Sequence, residues 1–271
     1  MMRLPFTQRT APPPGHFDMG GVKCSTHTIQ QVVDEVRYLM SNPAARPRTL
    51  LCVNAHIYNL AHEDAGLRET LNGARIVTAD GMSIVWLSRL WRTRVPERCN
   101  MTEAFRAFFT DPSIRPNTGV LIGVTKPEAE IAARAIEAFS KHSRIHRVYS
   151  GYLHEEEYDE IFRSLGPVDF IFVGMGTPRT ERICEIARAR CPQAIVWGIG
   201  AGTIRILAGA MKEAPPILRR AGLQWLYRMW CEPRRLWRRY VVGNPVFLYR
   251  ILKSGCAARR AVTQQSTVPP G

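Results

Sequence analysis

Thr49-Leu50-Leu51-Cys52-Val53 is a short apolar run bounded by polar residues, and after Asn54-Ala55 the chain takes up helical spacing over residues 56–71. A solid apolar run of this length followed by a helix reads as a buried strand and its crossover. The alternation repeats downstream, predicting strands at 75–78, 120–123, 145–149, 170–174 and 194–199 and helices at 82–91, 127–139, 155–165 and 178–189. Upstream, Ile29, Val32, Val33, Val36, Leu39 and Met40 recur at helical spacing behind Thr28, a suitable N-cap. Strands that are continuous apolar runs are covered on both faces. The predicted fold is therefore α/β, a Rossmann-like mostly parallel sheet flanked by helices.

Composition shifts after residue 211, where acidic residues nearly vanish and Arg219, Arg228, Arg235, Arg238 and Arg239 interleave with Trp225, Trp230, Trp237 and Tyr240. The expected organisation is a disordered or loosely ordered segment 1–22, a Rossmann-like catalytic domain 23–211, a basic Arg/Trp-rich, membrane-associating helical appendage 212–255 and a flexible tail 256–271. Across 271 residues, 37 Lys and Arg against 23 Asp and Glu give a net charge of +14, which suits a polyanionic partner: nucleic acid, anionic lipid or a phosphorylated substrate. The seven cysteines are scattered and never form C-x-x-C, which argues against a disulfide framework or zinc site and for reduced thiols in a cytoplasmic protein. Pro12-Pro13-Pro14 interrupts any signal-peptide core, and no apolar run approaches the roughly 18 residues of a bilayer span. Membrane contact is expected at the surface only.

In an open parallel sheet, ligands bind outside the carboxyl ends of the strands. Four strand ends carry polar or glycine-rich residues: Cys52-Val53-Asn54-Ala55, Thr78-Ala79-Asp80-Gly81, Gly174-Met175-Gly176-Thr177-Pro178-Arg179 and Gly198-Ile199-Gly200-Ala201-Gly202-Thr203. Asp80 at a strand mouth suits a general base, and equally suits an N-cap for the helix that follows. The two glycine turns suit a diphosphate at helix N-termini, or simply close helix–strand packing. Thr203 occupies the third glycine position of G-x-G-x-x-G, which disfavours a dinucleotide enzyme. No D-x-D is present, so metal-independent chemistry is expected, with no metal ligands among the seven His residues. The basic-aromatic tail fits an anionic membrane surface better than nucleic acid, for which no binding motif is present.

Taken in order, Asn54, Thr78-Ala79-Asp80-Gly81, Pro96-Glu97-Arg98, Gly174-Met175-Gly176-Thr177-Pro178-Arg179-Thr180-Glu181, Gly202 through Gly209, Lys212-Glu213-Ala214-Pro215, Gly222-Leu223-Gln224-Trp225-Leu226-Tyr227-Arg228 and Glu232-Pro233-Arg234-Arg235-Leu236, followed by Arg239-Tyr240, resemble the WecG/TagA/CpsF glycosyltransferases, family 26. The resemblance implies inverting, metal-independent transfer from a UDP-sugar to an undecaprenyl-pyrophosphate-linked sugar, for surface polysaccharide or teichoic acid synthesis at the inner face of the cell membrane. It implies Asp80 as catalytic base with Cys52 and Asn54 beside it. Donor binding falls on Gly174, Gly176, Arg179, Glu181, Gly200, Gly202, Arg228, Arg235 and Arg238, and acceptor binding on Arg98 and Thr180. No cofactor is implied, and a homo-oligomer is left open.

Several positions depart from the family pattern: Cys52 replaces a Thr, Thr180 a Gln, Glu103 an Asp, and Ile204-Arg205 a Phe-Asp pair. These departures keep a catalytically weakened nucleotide-sugar-binding homologue in play. The +14 charge keeps a nucleic-acid-binding protein in play.

Overall fold

The computed structural model describes residues 15–90 and 93–265. The elements run β1 (His16–Asp18), β2 (Lys23–Ser25), α1 (Ile29–Ser41), β3 (Thr49–Val53), α2 (Ala55–Glu63), α3 (Ala65–Asn72), β4 (Ile76–Ala79), α4 (Met82–Ser88), α5 (Met101–Thr110), β5 (Asn117–Gly123), α6 (Lys126–Phe139), β6 (Ser143–Tyr149), α7 (Glu155–Ser164), β7 (Phe170–Gly174), α8 (Arg179–Arg190), β8 (Ile195–Gly198) and α9 (Gly200–Leu207). Four further helices follow among the described residues: α10 (Pro216–Arg220), α11 (Gln224–Cys231), α12 (Pro233–Trp237) and α13 (Gly243–Gln265), the last two joined by a π-helical turn at Arg238–Val242.

Strands β3 to β8 form one parallel sheet in the order β4-β3-β8-β7-β5-β6. The Rossmann-like α/β prediction holds, and the reason is visible strand by strand. Leu51, Val53, Ile171, Val173 and Val196 enter one core, while Leu50, Ile76, Phe170, Phe172 and Trp197 enter the other. Both faces are therefore covered, and the strands read as unbroken apolar runs.

Several expected boundaries move. The helical stretch 56–71 is two helices, because Asp64 Oδ1 accepts from Leu67 N at 3.0 Å and caps a new start. The helix expected at 82–91 ends at Ser88, and residue 91 lies outside the described residues. Segment 1–22 was expected to be loosely ordered, but from residue 15 it belongs to the fold. The β1–β2 hairpin buries Phe17, Met19 and Val22, and the Ser25 hydroxyl accepts from Val77 N at 3.0 Å along the edge strand β4. An edge covered in this way is shielded from other chains. Residues 1–14 and 266–271 lie outside the described residues. Where a flexible tail was expected from residue 256, α13 continues to Gln265.

The start of α13 also packs as core. Phe247 and Ile251 are buried, and the Phe247 ring meets Tyr58 edge-on at 5.1 Å. Arg250 adds an ion pair to Glu63 at 2.6 Å. The C-terminal segment is thus pinned to α2, whose N-terminus borders the carboxyl edge of the sheet.

Helix α5 was not foreseen. Its Phe105, Phe108 and Phe109 lie at i, i+3 and i+4, and Phe105–Phe172 and Phe108–Phe170 ring centroids are both 5.2 Å apart. Trp197 Nε1 lies 3.1 Å from Met101 Sδ, which fixes the start of α5 against the sheet.

Candidate active site

In the β3–β4 register, Cys52 lies opposite Thr78 and Val53 opposite Ala79, so Asn54 and Asp80 emerge side by side at the carboxyl edge. A crevice of about 290 Å³ opens there, walled by Cys52, Asn54, Asp80 and the turns at Gly176 and Gly200. A second chamber of about 170 Å³ lies on the other side of Asp80, lined by Trp86, Arg98, Gln224 and Trp225. Asn54, His56, Asp80, Asn100, Arg228, Arg239 and Tyr240 border both. Asp80 therefore stands between two cavities.

Its alternative role as a helix cap is not adopted. Helix α4 starts behind Gly81 without a side-chain cap, and Asp80 Oδ1 accepts instead from Asn100 Nδ2 at 2.9 Å. Burial raises the Asp80 carboxyl above the ordinary range, opposed by Arg228, Arg98, Arg239 and the Asn100 amide. Cys52 beside it is a neutral thiol: burial, joined by the Asp80 and Glu181 carboxyls, holds it well above the usual thiol range. Asn54 caps α2, its Oδ1 accepting from His56 N and Ile57 N, both at 3.1 Å.

The glycine turns divide by role. Gly176 (φ 93°) and Gly200 (φ 74°) have left-handed backbones and border the crevice. Gly202 also borders it, and a Cβ there would lie 3.2 Å from Arg228 Nη2, so the bare Cα admits the guanidinium to the first turn of α9. Gly174 does not line the crevice. A Cβ on it would meet the Gly200 carbonyl oxygen at 2.7 Å, so this glycine serves helix–strand packing. Gly174→Ala should destabilise the fold by about 1–3 kcal/mol through overpacking, measured as a lower urea midpoint at unchanged slope.

Around α8 the expected residues separate. Thr180 and Glu181 are buried against the crevice, with Met175 N donating to Thr180 Oγ1 at 3.1 Å and Thr177 Oγ1 donating to Glu181 Oε1 at 2.9 Å. Burial also pushes the Glu181 carboxyl up. Arg179, one residue earlier, points away, donates to the Leu153 carbonyl and borders a groove on the far side of α8. Thr180 and Arg98, grouped as acceptor residues, fall in different chambers. Arg98 is held by Gln224 and by Glu103, the latter at 3.1 Å.

The appendage arginines are sorted by helical phase. Arg228 and Arg235 reach the crevice, whereas Arg238 lines only an outer groove with Arg250 and Val246. Arg239, part of the motif that carries the resemblance but given no site role there, borders all three cavities. The π-helical turn after α12 shifts the phase here and brings Arg239 inward. His56 was also unforeseen at the crevice. Burial, followed by Arg239, pushes its imidazole down to about 4, so it is neutral near pH 7. Arg205 pairs with Glu128 at 3.8 Å and with Glu232 at 3.5 Å, tying α9 to the appendage. Among the described residues, no group of three His, Cys, Asp or Glu side chains gathers as a metal site.

Fold and crevice together define an α/β protein with an arginine-bordered crevice at the carboxyl edge of a parallel sheet, Arg228, Arg235 and Arg239 being supplied by a C-terminal appendage. The chain belongs to the Glycosyl transferase WecG/TagA/CpsF family, which its residues 17–261 match. It is a glycosyltransferase. It is similar to the N-acetylglucosaminyldiphosphoundecaprenol N-acetyl-beta-D-mannosaminyltransferases of Staphylococcus aureus strains NCTC 8325 / PS 47 and COL, at 26% identity over 246 residues, covering 90% of this chain and 95% of each relative. The namesake from strain MRSA252 has the same identity and coverage.

Proposed function

We propose that this glycosyltransferase moves an N-acetylhexosamine-class sugar from a uridine diphosphate donor to a sugar carried on a polyprenyl diphosphate, with inversion and without a metal ion. The position of Asp80 between two chambers carries the reading. In it, the nucleotide sugar occupies the crevice beside Gly176, Gly200 and Arg228. The acceptor sugar occupies the chamber beside Trp86 and Trp225, whose ring faces suit a pyranose, and Arg98 meets its diphosphate.

Asp80 takes the proton of the acceptor hydroxyl as that oxygen attacks the anomeric carbon in line. The bond from that carbon to the diphosphate oxygen breaks, and the departing negative charge falls to Arg228, Arg235 and Arg239. One displacement of this kind inverts the anomeric centre. Cys52 packs beside the base as a neutral thiol rather than attacking.

Membrane docking by the appendage belongs to the same proposal. Trp230, Tyr249 and Val241 are 86%, 64% and 55% exposed among a row of arginines, a combination that favours an anionic bilayer surface. No helix of the described residues is long and apolar enough to cross a membrane.

Thermal shift tests the donor class first. UDP at 100 times its dissociation constant should stabilise the fold by about 2.7 kcal/mol, with no comparable effect from AMP or CMP. Transfer is then assayed with a panel of UDP-sugars and GlcNAc-diphosphoundecaprenol. Failure of every UDP-sugar to bind would overturn the proposal, and binding without transfer to any diphosphate-linked sugar would reduce it to a nucleotide-sugar-binding role.

A further inference from the structure

Asp80 has one side-chain hydrogen bond among the described residues, the one from Asn100 Nδ2 to its Oδ1. Asn100 is itself immobilised. It is 5% exposed and is the N-cap of α5, its Oδ1 accepting from Thr102 N at 2.9 Å and Glu103 N at 3.3 Å. An amide whose oxygen is tied to two backbone N–H groups presents its NH₂ in a defined direction. The main chain sets the separation as well: Cys99 N donates to Ala79 O at 3.0 Å, and Asp80 N donates to Val53 O at 2.8 Å. Helix cap, base strand and neighbouring strand are thus one hydrogen-bonded unit.

Residue type adds a second argument. Ser, Thr, Asp and Asn all cap helices well. Among them only Asn offers the helix an acceptor and, on a separate atom, a donor for a carboxylate.

We infer that Asn100 is a positioning residue of the transfer reaction, holding Asp80 Oδ1 so that Oδ2 is the oxygen presented to the acceptor hydroxyl. The inference rests on Asp80 being the base. Asn100 acts through that carboxylate. The other groups facing Asp80 are Arg228 of α11, Arg239 of the π-helical turn, Arg98 of the loop before α5, and the thiols of Cys52 and Cys99. The arginines and the Asn100 amide oppose the effect of burial, so losing the amide lets the carboxyl rise further.

Two variants separate capping from positioning. Asn100→Ser keeps a capping oxygen and removes the amide, whereas Asn100→Asp keeps the cap and sets a second carboxyl against Asp80. Both should fold cooperatively and bind UDP, with the thermal midpoint lower in Asn100→Asp, where a second carboxyl is buried beside Asp80. In both, kcat at neutral pH should fall by about ten- to a hundredfold, the range of a lost hydrogen bond to a charged group. The acid limb of kcat should move to higher pH in both, further in Asn100→Asp, where two carboxyls share a proton. Folded variants with wild-type kcat and acid limb, alongside an inactive Asp80→Asn, would overturn the inference while leaving the base assignment intact. Full activity of Asp80→Asn would overturn the base assignment instead. If neither Asn100 variant folds, Asn100 is a structural cap and the proposal fails.

Discussion

Asp80→Asn is expected to lower kcat by roughly 10²- to 10⁴-fold while UDP binding is retained or tightened. The amide is nearly isosteric with the carboxylate, so the contact to Asn100 and the walls of both chambers survive while the proton acceptor is lost. Removing a negative charge beside Arg228 and Arg239 also leaves more positive potential for a diphosphate, which is why donor binding should not suffer. Isothermal titration with UDP and initial rates with a diphosphate-linked acceptor check the two halves separately. Wild-type turnover in this variant would end the assignment of Asp80 as base.

The pH dependence follows from the same environment. The reaction needs ionised Asp80, and burial raises that carboxyl despite the three arginines around it. Wild-type kcat should therefore rise with pH through an apparent pKa above the ordinary Asp range and then level off. His56, pushed down to about 4, stays neutral over that interval and should add no step of its own near pH 6.5.

The parts of the fold legible in the sequence are those where pattern and packing coincide. Leu50-Leu51 and Phe170 to Val173 are apolar without interruption because both sheet faces are covered, and Asp80 could be placed at a strand mouth because its strand was unmistakable. Asn100 and α5 were missed although the signal was present: an Asn followed by Phe105, Phe108 and Phe109 at helical spacing. The resemblance assigns Arg238 rather than Arg239 to the donor, whereas Arg239 borders the crevice, because their order around the appendage depends on a π-helical turn that no periodicity of 3.6 anticipates. Arg179 and Gly174 belong to a glycine-rich turn that does border the crevice. Only the phase of α8 and the approach of Gly200 to Gly174 show that these two residues serve other contacts.

Arg228→Ala is expected to cost about 10²- to 10³-fold in kcat, the usual effect of removing one donor from a site that receives developing charge. Two losses combine in this variant. The departing diphosphate loses a cation admitted to the first turn of α9 by the bare Cα of Gly202, and Asp80 loses the first of the arginines that counter its burial. The acid limb should therefore move to higher pH together with the fall in kcat, a signature that a purely structural defect in the appendage would not produce. Arg228→Lys keeps the charge without the planar fork and should recover part of the rate and most of the pH profile. Arg239→Ala should act in the same direction, because that side chain also borders both chambers and faces Asp80. Arg238→Ala is the comparison that tests the geometry: its side chain lines only the outer groove, so its effect on kcat should be at least tenfold smaller than that of Arg228→Ala. Equal losses in Arg238→Ala and Arg239→Ala would mean that the turn at Arg238–Val242 reorganises when substrate binds, and that the assignment of charge to Arg239 over Arg238 is wrong.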